Sequence, residues 1–287
     1  MDVEPVIATE WPAPAKLNLF LHICGRRADG YHLLQTVFQL LDYGDTLRVL
    51  PRDDGLIRRT VELPGIPEDD DLCIRAARLL QRMSGCRLGA DIHIDKRLPI
   101  GGGLGGGSSD AATTLVALNA LWGTGFDVDT LSRLGLQLGA DVPVFVRGLS
   151  SWGESIGEEL SPVELGSRWY AVVSPEVQVS TEQVFTASEL TRDTPRITMS
   201  AFRAGLARND CEPVVRRLYP EVAQVLDWVA KFGDARLTGT GGCVFAAFDS
   251  EREARAVCAQ VPAPWRAFVA RGVDVSPLRR AAECQAA

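Results

Sequence analysis

Six glycines fall within the seven positions Gly101 to Gly107, in the run L-P-I-G-G-G-L-G-G-G-S-S-D from Leu98 to Asp110. Glycine is needed where a backbone takes positive φ, or where a ligand approaches the main chain more closely than a Cβ allows. Upstream, Ala90, Ile92 and Ile94 alternate with Asp91, His93 and Asp95, the period of a half-buried strand. Downstream, Ala111, Leu115, Leu118 and Trp122 recur at helical spacing, with Ser108, Ser109 and Asp110 as expected capping side chains and Gly123 and Gly125 as the stop. A helix N-terminus offers unpaired N–H groups and the positive end of the macrodipole. Strand, glycine loop and helix in that order read as an anion site, and phosphate is its natural occupant.

Three other readings of the loop are weaker. A flexible linker carries Ser and Thr among its glycines and is not clamped between a strand and a helix. Gly101, Gly103 and Gly106 satisfy the dinucleotide pattern G-x-G-x-x-G, which also wants a second strand ending in an acidic residue about twenty positions on. Here Gly123 to Asp129 reads as a turn. Gly102 to Gly107 followed by Ser108 and Ser109 nearly fits the Walker A pattern, but Ser108 stands where lysine is required, so the lysine must come from elsewhere.

Lysine is scarce in this chain. Of 30 basic residues only Lys16, Lys96 and Lys231 are lysine. Where arginine is used so freely, a retained lysine is worth inspecting as a compact point charge. Lys16 and Asn18 point the same way on a strand, on a face that is either solvated or functional. Asp141 lies in A-D-V-P-V-F-V, where Pro143 forbids a continuous helix through it. An acidic residue at such a corner is either a cap or a functional carboxylate.

The elements that must position these residues follow from periodicity. Ala13 to Gly25 alternates as a strand, Arg26 to Gly30 is a turn, and Tyr31 to Leu41, Thr46 to Leu50 and Leu56 to Leu63 are further strands. Asp69 to Met83 and Asp129 to Leu138 are helices. A second sheet region starts at Arg168 to Ser174, and Ser180 with Gln183 forms a capping box whose helix sets Thr181 and Phe185 four apart on one face. Met199 to Arg208, Pro220 to Phe232 and Glu251 to Gln260 read as helices. Leu237 to Gly242 is a second glycine loop leading into strand Cys243 to Phe248, and Trp265 to Arg271 closes the sheet.

Composition bounds the function. With 287 residues and 46% hydrophobic content, the chain has enough apolar material for one large domain or two ordinary ones. A net charge of -7 argues against a nucleic-acid coat protein. The longest apolar run, Cys243 to Phe248, is too short to span a membrane, and Met1, Asp2, Val3 and Glu4 lack the order of a signal peptide, so a cytoplasmic location is expected. Seven cysteines without C-x-x-C read as small buried hydrophobes, and His22, His32 and His93 show no metal-ligand spacing.

Three segments together resemble the GHMP kinase superfamily: P-A-K-L-N-L at Pro14 to Leu19, P-I-G-G-G-L-G-G-G-S-S at Pro99 to Ser109, and L-T-G-T-G-G-C-V-F at Leu237 to Phe245. Within it, G-R-R-A-D-G-Y-H from Gly25, L-D-Y-G-D from Leu41, G-A-D-V-P-V-F from Gly139 and N-D-C-E from Asn209 are similar to the 4-diphosphocytidyl-2-C-methyl-D-erythritol kinase family. The resemblance implies an α+β fold of two domains, 1–163 binding ATP and 164–287 on the substrate side, with left-handed β-α-β character around the phosphate loop and the active site in the cleft between. It implies ATP-dependent phosphorylation of the 2-hydroxyl of a cytidine-diphospho sugar alcohol in the non-mevalonate route to isoprenoid precursors. The alternatives are a homoserine- or mevalonate-type kinase of the superfamily and a non-catalytic nucleotide-binding protein of the same fold.

Carried over by residue, the resemblance implies Asp141 as base and Lys16 as its charged neighbour. Lys96, Pro99, Ile100, Gly101, Gly102, Gly103, Leu104, Gly105, Gly106, Gly107, Ser108 and Ser109 would bind ATP, with Mg²⁺ near Ser108 or Ser109. Tyr31 and Phe185 would sandwich the cytosine, His32 would read its polar edge, and Asn18 and Thr181 would position the substrate. A monomer or weak homodimer is expected. Three departures stand out: Asp110 where the family commonly has Asn, expected to weaken ATP binding slightly; Ser155 in place of a glycine; and Cys211 in place of a larger apolar residue.

Overall fold

The computed structural model describes residues 9–28 and 30–286. Met1 to Glu4, read above for a leader pattern, and Asp29 of the 25–32 segment lie outside the described residues. Strands β1 (Thr9–Arg26) and β2 (His32–Arg52) form a long antiparallel hairpin. The sequence suggests two strands where β2 is one: Asp45 and Gly44 pair with Ala13 and Pro14, and Leu41 to Tyr43 bulge opposite Ala15 without ending the strand. Register shifts between Pro14 and Lys16 and between Asn18 and Leu21 bracket Lys16 to Asn18. Such bulges re-aim side chains. Both faces of β1 are covered, and Lys16, Asn18 and His22 are all buried, so the solvated-face alternative does not hold.

Next come β3 (Ile57–Arg59), helix α1 (Leu72–Ser84), β4 (Gly89–Asp95), α2 (Gly106–Leu121), α3 (Val128–Leu136) and α4 (Val142–Arg147). Then follow β5 (Ser151–Ser155), β6 (Glu159–Pro162), β7 (Trp169–Ser174), α5 (Thr181–Thr186), α6 (Met199–Arg203), α7 (Glu212–Leu218) and α8 (Pro220–Val229). The chain ends with β8 (Arg236–Leu237), β9 (Val244–Phe248), α9 (Glu251–Cys258), β10 (Arg266–Val273) and α10 (Pro277–Ala286). The sheet runs β3-β4-β2-β10-β7-β9-β8, with β1 and β5 also on β2, and β3 with β4 is the only parallel ladder among the described strands. An antiparallel sheet packed by helices is not the doubly wound parallel sheet that the dinucleotide reading of the loop requires.

β10 does not close an edge. It sits mid-sheet and joins the halves, pairing Gly272 and Val273 with Leu41 and Leu40. One core gathers α1, α2, α4 and the first strands around Ile74, Leu115 and Phe145; another gathers α7 and α8 on β7 to β9 around Val215, Leu226 and Val244. α10 returns to the first core through Leu278. A third apolar set, including Leu17, Leu98, Leu104, Val172 and Phe245, fills the seam between them. β5, β6, α7 and α10 have no clear apolar period in the sequence, whereas tertiary contacts sustain them. Ser155, with φ of 63°, is the only non-glycine residue at positive φ among those described. Its hydroxyl and the Ile156 N–H both donate to Glu158, closing the turn that a glycine would make without strain. Cys211 is fully buried in the second core.

α2 starts earlier than the capping residues suggest. Gly105, in the left-handed region, is its N-cap and makes no side-chain cap bond, so Ser108, Ser109 and Asp110 lie inside the helix. From Ser109 to Leu118 every residue is buried, because α1, α4 and β1 surround the helix.

Candidate functional site

The glycine loop is held by main chain on two sides. Lys16 N–H donates to the Leu104 carbonyl at 3.0 Å, Cys243 N–H donates to the Gly102 carbonyl at 3.0 Å, and the Thr238 hydroxyl donates to the Gly103 carbonyl at 3.2 Å. The second glycine loop thus packs backbone to backbone on the first. Gly103 and Gly105 take φ of 76° and 72°; a Cβ at Gly103 would lie 2.1 Å from the Thr238 carbonyl oxygen, and one at Gly105 would lie 2.8 Å from the Phe145 ring. Only glycine fits there. With no side chain capping α2, the N–H groups of its first turn are left for an anion.

Beside this loop the Lys16 ammonium lies 3.2 Å from Asp141 Oδ2 and donates to Asn18 Oδ1 at 2.5 Å. Asn18 donates to Thr36 Oγ1, which donates to the Phe20 carbonyl, so a chain of bonds across the hairpin fixes the ammonium. The Lys16 side chain is 4% exposed, whereas Asp141 is 34% exposed and faces the cleft. Asp141 occupies the N-cap of α4 but makes no cap bond. Of the two readings of this carboxylate, the cap is not the one the geometry realises.

Lys96 sits behind the loop in a buried charge cluster, donating to Asp45 Oδ2 at 2.5 Å and Asp110 Oδ2 at 2.8 Å. Asp45 is further held by the Arg97 and Leu98 N–H groups, while Asp110 Oδ1 and the Ser109 hydroxyl are buried without a hydrogen-bond partner among the described residues. One ammonium serves two carboxylates. Burial, with Asp45 adding to it against the pull of Lys96, pushes the Asp110 carboxyl well above the ordinary carboxylate range. An acid whose folded pKa is raised binds more protons folded than unfolded, so its contribution to stability falls as pH rises from about 4 through the folded value. Asp110→Asn should therefore remove a negative slope of at most roughly 1.4 kcal/mol per pH unit from stability, one proton's worth, and should melt no lower than the parent at pH 8. Denaturant titrations from pH 4 to 8 check this; a clear loss of stability at pH 8 would mean that the charged pair is net stabilising.

At the far end of the cleft, Phe185 of α5 stacks on His32, with centroids 4.9 Å apart and an interplanar angle of 18°. Phe185 thus has His32 on one face, where the sequence suggests Tyr31 as its opposite; Tyr31 is 60% exposed at the rim. Ser180 caps α5 through the Gln183 N–H, and the Thr181 hydroxyl meets Thr240 of the second glycine loop at 2.8 Å. Burial, then the charges of Arg192 and Arg26, lower the His32 pKa and keep the ring neutral. Arg192 is the residue that sequence reasoning missed: it sits in no motif, and its contacts are all tertiary or within one loop.

These parts line one cleft of about 1040 Å³. Every residue given a catalytic or ligand-binding role from the sequence lines it except Ser109, whose side chain is buried inside α2; Lys231 does not line it. No helix among the described residues is long and apolar enough to cross a membrane, and no group of three or more His, Cys, Asp or Glu residues among them is arranged to hold a metal ion.

Comparison with known proteins agrees with the fold. Residues 71–149 match the GHMP kinases N terminal domain and residues 190–267 match the GHMP kinases C terminal model. A Halorhodospira halophila protein named 4-diphosphocytidyl-2-C-methyl-D-erythritol kinase is 59% identical over 271 residues, spanning 93% of this chain and 94% of its own. One of the same name from Alkalilimnicola ehrlichii is 60% identical over 268 residues, spanning 93% and 92%. A crystal structure of 4-(cytidine 5'-diphospho)-2C-methyl-D-erythritol kinase superposes with a TM-score of 0.81 at 33% identity, covering 92% of this chain and 100% of that one. Methanococcus jannaschii mevalonate kinase, at 18% identity and a TM-score of 0.67 over 94% of this chain and 99% of its own, shares the fold.

Proposed function

The chain belongs to the GHMP kinase family and is a kinase, and from that premise we propose that it phosphorylates the 2-hydroxyl of 4-diphosphocytidyl-2-C-methyl-D-erythritol with ATP, a step in non-mevalonate isoprenoid precursor synthesis. Relatives so named, at 59% and 60% identity, support the substrate. The observation that carries the chemistry is the Lys16 and Asp141 pair, 3.2 Å apart between the glycine loop and the aromatic end of the cleft.

The acceptor is a tertiary alcohol and a poor nucleophile. With its hydroxyl at Asp141, the carboxylate takes the proton as the oxygen forms its bond to the γ-phosphorus. The Lys16 ammonium stabilises the alkoxide character of that oxygen, the bond from the γ-phosphorus to the bridging oxygen breaks, and ADP leaves. The loop and the start of α2 hold the phosphates. Mg²⁺ carried on the ATP phosphates would neutralise charge there, and Ser108, which lines the cleft where Ser109 does not, would be the hydroxyl to help hold it. Residues 1–163 would serve the nucleotide and 164–287 the substrate side; β1 and α10 cross that division, so both parts build one cleft.

An acceptor panel with MgATP tests the proposal: the cytidine-diphospho compound, its uridine counterpart, free methylerythritol phosphate, homoserine and mevalonate. Efficient turnover is expected with the cytidine compound alone. Phe185→Ala and Tyr31→Ala should raise its KM by about tenfold with little change in kcat, because base stacking is worth roughly 1 to 3 kcal/mol in ground and transition states alike. Preference for homoserine or mevalonate would sink the substrate assignment.

A further inference from the structure

We propose that Arg192 is a positioning residue that sets which pyrimidine the cleft accepts, by holding His32 in the tautomer that donates from Nδ1. The proposal rests on the reading of this end of the cleft as a cytidine site. Arg192 Nε donates to His32 Nε2 at 3.2 Å. Its other nitrogens are anchored on main chain: Nη1 to the Leu190 carbonyl at 3.0 Å, and Nη2 to the Phe185 and Ala187 carbonyls at 2.9 and 2.7 Å. A guanidinium only donates, so the His32 nitrogen it faces must be the bare acceptor, and in the neutral ring the proton lies on Nδ1. Nδ1 has no hydrogen bond among the described residues and is not sealed from solvent, and both His32 and Arg192 line the cleft. The same guanidinium fixes the carbonyl of Phe185, the ring stacked on His32, so one residue sets both the polar edge and the apolar face offered to a base.

The consequence is a choice between bases. Cytosine presents ring N3 and O2 as acceptors, whereas uracil carries a proton on N3. A ring locked as an Nδ1 donor pairs with N3 of cytosine and meets N3–H of uracil donor to donor. Without Arg192 the ring is free to move its proton to Nε2, present Nδ1 as an acceptor and take uracil.

Nitrogen NMR of the imidazoles reads the tautomer directly and without substrate; the chain has three histidines, and His32→Gln assigns the signal. The parent should show the Nδ1–H form of His32, and Arg192→Met should move it toward the Nε2–H form. The ratio of kcat/KM for the cytidine over the uridine compound should fall by about tenfold or more in Arg192→Met, mainly through KM, the size expected of one buried polar mismatch. Arg192→Lys keeps a donor for Nε2 but loses the fork on the carbonyls, so it should retain tautomer and ratio while melting at a lower temperature. An unchanged tautomer in folded Arg192→Met, or a collapsed ratio in Arg192→Lys with the Nδ1–H form intact, would overturn the proposal. A parent enzyme that ignores both compounds would instead defeat the cytidine reading, leaving the tautomer measurement to decide the role of Arg192 on its own.

Discussion

Asp141→Asn is expected to lower turnover by roughly 10²- to 10⁴-fold, the range of a positioned general base, with ATP affinity nearly unchanged. The amide keeps the shape of the carboxylate but does not take the proton of the acceptor hydroxyl. Lys16→Met should cost a comparable roughly 10²- to 10³-fold, because it removes a preorganised cation at the oxygen where charge develops. The two losses should be far from additive, since both act on one oxygen. Single-turnover rates with saturating MgATP, alongside calorimetric titration of ATP, separate chemistry from binding. Near-normal turnover in either variant would remove that residue from the mechanism. Lys16 is buried against Asn18 as well as Asp141, so Asp141→Asn leaves the ammonium one of its two polar partners and the fold should survive.

The second large effect is structural. Gly103→Ala should destabilise the protein by about 3 kcal/mol or more, combining the cost of a side chain at positive φ with overpacking. Its Cβ would lie 2.1 Å from the Thr238 carbonyl oxygen, a main-chain atom that has no rotamer to change. The seam between the two glycine loops must then open, and the bonds from Thr238 and Cys243 to the loop go with it. Gly107→Ala is the matched control. A Cβ there would come no nearer than 3.5 Å to Leu72, an ordinary contact, on a residue that lines the cleft beside the proposed phosphate site. That variant should melt like the parent and raise the KM for ATP. Thermal melts with and without nucleotide distinguish the two, and equal melting temperatures would refute the account of why the loop is glycine.

What the residues alone determined was local. Glycine density, the strand before it and the helix after it made the order of strand, glycine loop and helix legible, because φ preference and helix-end capping act over a few neighbouring residues. The order of the three motifs pointed to the family, and alternation placed Lys16 and Asn18 on one face of β1. Local signals also misled. Ser108 to Asp110 looked like caps and lie inside α2, because the chain already turns into the helix at Gly105, whose left-handed backbone makes it the N-cap. That Asp141 makes no cap bond and instead meets Lys16 was visible only in three dimensions. The Asp45, Lys96 and Asp110 cluster joins β2, the end of β4 and α2, and Arg192 reaches His32 across 160 positions of chain. No period or spacing encodes such contacts. They depend on bulges that shift strand register by one or two residues and on which face of each helix the two cores bury, and those are set by packing of the whole chain.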